Sequence, residues 1–214
     1  MVELKRQSAA RFEATAAETE TRDNWTVALE YENEGDGPWI SDLSHKARWD
    51  LQDRFIDKLA PCDISVPSAP GACVLKDGVL INRMNKTQAS VWHLGVEPSE
   101  FPEHPGYTDV TEATVFIALF GPNVFRTAEK LSALDFMDPF KSAPFLLQGP
   151  FCRIPCQAVA LERNNDGSGT LLLTCSRGYA QSMVDAILSS GAEFGLSPSG
   201  ERRFARYVKV LRNK

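Results

Sequence analysis

Asp42-Leu43-Ser44, followed by Phe55-Ile56-Asp57-Lys58-Leu59 and Asp63-Ile64, returns later in the chain in altered form. The second version reads Asp109-Val110-Thr111, then Val124-Phe125, Glu129-Lys130-Leu131 and Asp135-Phe136. Corresponding residues lie 67 to 72 positions apart. An internal repeat fixes architecture before any residue is given a role. It divides the chain into an arm, residues 1–24, and a module of two related halves, about 25–95 and 107–212, joined by a linker at 96–106.

Each half reads as strand, helix, strands. In the first, Trp25 to Tyr31 alternates weakly and Ala47 to Leu51 is strand-like. Phe55, Ile56 and Leu59 fall on one face of a short helix. Cys73 to Leu75 and Val79 to Arg83 flank Asp77-Gly78, a hairpin turn, and Gln88 to Leu94 follows as a strand. In the second, Thr114 to Phe120 is a continuous apolar run, which suits a strand buried on both faces. Gly121-Pro122-Asn123 leads into a helix with Val124, Phe125, Ala128 and Leu131 inward. Pro139, Pro144, Pro150 and Pro155 mark a loop. Ala158 to Glu162 and Thr170 to Cys175 are strands. Tyr179 to Ser190 is the best helix, with Gly191 as its C′ residue. Arg203 to Leu211 alternates as a final strand. The arm has few apolar anchors and reads as partly helical. The sum is an α+β domain with mixed sheets covered by helices.

The chain has 214 residues and a formal net charge of −5. That balance, with no basic cluster, argues against nucleic acid, whose binding rests on cations that neutralise phosphates. No apolar run approaches the roughly 20 residues of a membrane span, and the N-terminus lacks a signal core, so a cytoplasmic location is expected. Cys62, Cys73, Cys152, Cys156 and Cys175 form an odd set that reads as reduced thiols. The spacing of Cys152 and Cys156 lacks a second ligand pair, and His45, His93 and His104 are scattered, so no metal site is expected.

Asp42-Leu43-Ser44-His45, Phe120-Gly121-Pro122-Asn123 and Gly195-Leu196-Ser197-Pro198-Ser199-Gly200 together resemble the folate-binding domains of the glycine-cleavage T-protein superfamily, the aminomethyltransferases. The likeness runs over most of residues 25–210. In length the chain is most similar to the gamma subunits of heterotetrameric sarcosine oxidase. The resemblance implies a single folate-binding module that joins larger subunits, with tetrahydrofolate as a possible ligand and flavin only on a partner. A homodimer is the other assembly it allows. The Lys-Gly-Cys-Tyr-x-Gly-Gln signature of related iron–sulfur repair proteins is absent.

The family's paired aspartates after Gly-Gly fall here on Ile81 and Asn82. Its pterin-holding glutamate falls near Leu171. Asp77, Asn82 and Arg206 are therefore the folate candidates, and no catalytic residue is assigned. Asp77 equally suits a turn, and Arg206, with Arg202 and Arg203, equally suits a solvated face or interface. His45 reads as a surface or loop-capping residue, and Asp42 and Asp109 as caps of turn N–H groups. Two functions follow from the resemblance: a non-catalytic subunit of a folate-linked amine-oxidising or one-carbon-transfer complex, or a small stand-alone tetrahydrofolate-dependent aminomethyl- or methyltransferase.

Overall fold

The computed structural model describes residues 5–95 and 100–212, so part of the 96–106 linker lies outside the described residues. A hairpin of β1 (Ala16–Arg22) and β2 (Trp25–Tyr31) comes first. It is followed by β3 (Trp39–Asp42), β4 (Arg48–Gln52), β5 (Cys73–Lys76), β6 (Val79–Arg83) and β7 (Gln88–His93). Then come β8 (Tyr107–Asp109), β9 (Thr114–Gly121), α1 (Val124–Glu129), β10 (Phe145–Phe151), β11 (Ile154–Arg163) and β12 (Gly169–Ser176). The chain closes with α2 (Ala180–Gly191), β13 (Ser197–Pro198) and α3 (Glu201–Arg212). One sheet runs β10-β11-β12-β9-β3-β13, with only β13 parallel to its neighbour, and the other runs β5-β6-β7-β4-β8. The architecture is α+β.

The two repeat copies are where the chain changes sheets. Residues 43–47 carry it from β3 in the six-stranded sheet to β4 in the five-stranded one, and 110–113 carry it back from β8 to β9. The two crossings pin each other. In each copy the aspartate accepts the N–H two residues on, Ser44 N to Asp42 Oδ1 at 2.9 Å and Thr111 N to Asp109 Oδ1 at 2.8 Å. The hydroxyl so oriented accepts an N–H from the opposite crossing: Phe116 N to Ser44 Oγ at 3.1 Å, Arg48 N to Thr111 Oγ1 at 2.9 Å. The middle residue donates to the same partner, Leu43 N to Phe116 O at 2.8 Å and Val110 N to Arg48 O at 3.0 Å. Arg48 is fully buried, and its guanidinium donates to the carbonyls of Ser44, Lys46, Thr111 and Thr114. Carbonyls left unpaired at both crossings are thereby satisfied.

Strand β9 sits between two cores, as its unbroken apolar run requires. Val115, Ile117 and Leu119 face α1 and α2 with Phe125, Met183 and Val184. Phe116, Ala118 and Phe120 face Leu80 and Trp92 of the five-stranded sheet and Phe204 of α3. A third cluster, with Trp49, Leu51, Ile56 and Ile81, covers the outer face of that sheet.

Several elements differ from the sequence pattern. The first-half helix is a single 3-10 turn, Ile56–Lys58, because only Ile56 is buried and Phe55 is exposed. The arm contributes a strand rather than a helix, since β1 pairs antiparallel with β2. Residues 201–212 form a helix, not a strand. Phe204, Tyr207 and Val208 recur at helical spacing, and the first two pack on Phe120. The proline-marked loop contains β10 and the start of β11. Pro150 opposes Pro155 there. Pro150 is tolerated because β10 is an edge strand, and Pro155 because it precedes the first β11–β12 pair, Cys156 with Cys175. The left-handed stop after α2 is Gly195 at φ 75°, not Gly191, where a side chain would collide with Leu196.

Ser44→Ala and Thr111→Val each strip the acceptor from a buried backbone N–H. Each is expected to cost about 1–3 kcal/mol. The double variant should lose less than the sum, because the crossings share Arg48. Urea unfolding of the three variants measures both.

Candidate functional site

The folate candidates lie at three separate places. Asp77 is exposed in the β5–β6 turn at φ 50°, with Gly78 at φ 81° after it, as a tight hairpin turn demands. Arg206 is exposed on α3. Asn82 on β6 is fully buried. Among the described residues no hydrogen bond or ion pair links any two of the three. Asn82 Nδ2 donates to Ser90 Oγ on β7 at 3.2 Å, and Ser90 Oγ donates to Gln157 Oε1 on β11 at 2.9 Å. A row of neutral amides and a hydroxyl thus bridges the two sheets. Asn82 Oδ1 is buried and has no hydrogen-bond partner among the described residues. Leu171 is fully buried in the core facing α1 and α2.

A cavity of about 370 Å³ lies elsewhere. Its walls are the arm (Gln7, Ser8, Arg11), strand β2 (Trp25, Tyr31), the first repeat copy (Asp42, His45) and Ser199. The volume falls at the lower end of the range typical of ligand pockets. The arm is fastened to the body at this edge. Arg11 N donates to Gln181 Oε1 at 3.0 Å, Gln181 Nε2 returns to Arg11 O at 3.1 Å, and Phe12 stacks edge-on against Tyr31. Ser41 Oγ donates to Ser199 O at 2.7 Å and fixes the opposite wall.

Beneath the cavity is a buried ion cluster centred on Glu201, the first residue of α3. Lys46 Nζ stands 2.6 Å from Oε1, Arg22 Nη1 2.5 Å from Oε2, and His45 Nε2 3.5 Å from Oε1. Burial pushes the Glu201 carboxyl upward. His45 and Lys46 beside it outweigh that effect and hold it well below the usual carboxylate range. His45 is therefore buried rather than a surface residue. The partner that explains it lies 156 positions on, at the start of a helix that the sequence pattern presented as a strand. Burial, then the charges of Asp42 and Glu34, push the Tyr31 phenol up to about 12, so it stays a donor. Burial pulls His93 down to about 4, which leaves its ring neutral near pH 7 against Trp49, with centroids 4.4 Å apart.

Among the described residues no helix is long and apolar enough to cross a membrane. No protein-family model matches the sequence, and no curated protein matches it. Among solved structures 22 chains match. One is a chain of the heterotetrameric sarcosine oxidase from Corynebacterium sp. U-96 in complex with pyrrole 2-carboxylate. It superposes with a TM-score of 0.62 at 11% identity, over 72% of this chain and 84% of that one. The chain therefore has a sarcosine oxidase-related fold.

Glu201 has a folded-state pKa below its unfolded value of about 4.3. Its stabilisation is therefore complete above that pH and is lost as pH falls below it. Glu201→Gln is expected to cost about 3–5 kcal/mol at pH 7, since it leaves the buried Lys46 ammonium unpaired. Its remaining stability should also fall less steeply in acid than that of the unaltered chain. Urea unfolding midpoints at pH 7 and at mildly acidic pH provide the comparison.

Proposed function

We propose that this chain is a non-catalytic subunit of a folate-linked amine-oxidising or one-carbon-transferring complex. The observation that carries this reading is Asn82. The T-protein resemblance implies an aspartate at the folate nitrogen, and an aspartate there would offer negative charge to a developing iminium or accept a proton. A neutral amide does neither. Asn82 is also sealed between two sheets in a hydrogen-bonded row of uncharged groups. Asp77, the nearest acid in that segment, is exposed at a turn. The matched fold comes from a heterotetrameric oxidase, which supports a role within an assembly. On this reading the partners are larger subunits, one of them a flavoprotein that carries the flavin. Tetrahydrofolate would be held by the complex rather than turned over by this chain, and the complex would be cytoplasmic.

The isolated full-length chain, supplied with methylated amines and tetrahydrofolate, is expected to form no product. Calorimetric titration with tetrahydrofolate distinguishes the stand-alone transferase. Turnover by the chain alone, with saturable binding abolished by Asp77→Asn or Asn82→Ala, would establish that enzyme and end the subunit reading.

A further inference from the structure

Charge is paired with care around the cavity between the arm and the first repeat copy, with two exceptions. Arg6 pairs with Asp23 and Glu112, Arg22 with Glu20 and Glu201, and Lys46 with Glu201. Arg11 and Asp42 both line the cavity, yet among the described residues neither forms an ion pair with the other or with any third group. The Arg11 guanidinium makes no hydrogen bond there. Asp42 commits only Oδ1, to Ser44 N, and leaves Oδ2 free. One open cavity thus presents an unused cation and an unused anion, too far apart to neutralise each other. The Tyr31 phenol adds an uncommitted donor, and Trp25 and Ala10, both buried, supply an apolar wall.

We propose that this cavity binds a free α-amino acid as its zwitterion. The ligand carboxylate would take charge-assisted hydrogen bonds from the Arg11 guanidinium, and its ammonium would donate to Asp42 Oδ2. A simple anion would meet Arg11 but leave Asp42 unmatched, and a simple cation would do the reverse. A zwitterion satisfies both and adds no net charge. A volume of about 370 Å³ admits a side chain of moderate size, and Trp25 and Ala10 favour an apolar one. The cavity belongs to this chain alone, so binding does not depend on the assembly role proposed above.

The test is calorimetric titration of the full-length chain with L-valine, acetate and methylammonium. L-valine should bind saturably. Acetate and methylammonium, each carrying half of the recognition, should bind at least about tenfold more weakly, because each lacks one charge-assisted contact. Arg11→Gln, at an exposed position, and Asp42→Asn, which keeps an oxygen for Ser44 N, should each weaken L-valine about tenfold or more. If Asp42→Asn does not fold, Arg11→Gln carries the comparison. Absence of saturable L-valine binding, acetate binding as tight as L-valine, or unchanged affinity in Arg11→Gln would each overturn the proposal.

Discussion

Six hydrogen bonds, three from each repeat copy, hold the two places where the chain crosses between sheets. Neither crossing is satisfied by its own neighbours alone. Ser44 caps the N–H of Phe116, and Thr111 caps that of Arg48, so each copy completes the backbone of the other. The same arrangement sets the direction of β9, whose alternate side chains fill the two main cores. The buried Arg48 guanidinium collects carbonyls from both crossings. With that centre fixed, helices α1 and α2 have a face to cover on one side, and α3 and the five-stranded sheet on the other.

The repeat was legible in the sequence because its function is local and chemical. An aspartate two residues before a hydroxyl residue is the short-range pattern that caps a turn. The apolar run of β9 and the Asp77-Gly78 hairpin were equally plain, for periodicity and turn chemistry both act over a few residues. What escaped the sequence depends on distant partners. Arg203 to Leu211 has enough alternation to pass as a strand, and the choice is made by Phe120, which receives Phe204 and Tyr207 at helical spacing. The largely exposed strand β1 consists of Ala, Glu and Thr with Arg22 at its end and carries no apolar period. It is defined by pairing with β2.

The candidate site divides in the same way. Asn82, at a position expected to be acidic, was visible from the resemblance, but its burial in a polar row that reaches Gln157 was not. The cavity near Asp42 gathers the arm, the first repeat copy and Ser199. No local pattern marks Arg11 as part of it. His45 becomes intelligible only when Glu201 arrives from the far end of the chain. The structure therefore sets two separate places apart. One is a neutral, sealed row where folate chemistry would need an acid. The other is an open, charged cavity at the junction of arm and repeat.

On the function proposed above, this chain serves an assembly rather than a reaction of its own. Sedimentation of the native material, detected at once by this chain and by flavin absorbance, tests it most directly. The chain is expected to sediment with larger subunits in a flavin-bearing species. A chain that sediments from its native source only as a flavin-free monomer or homodimer would contradict it.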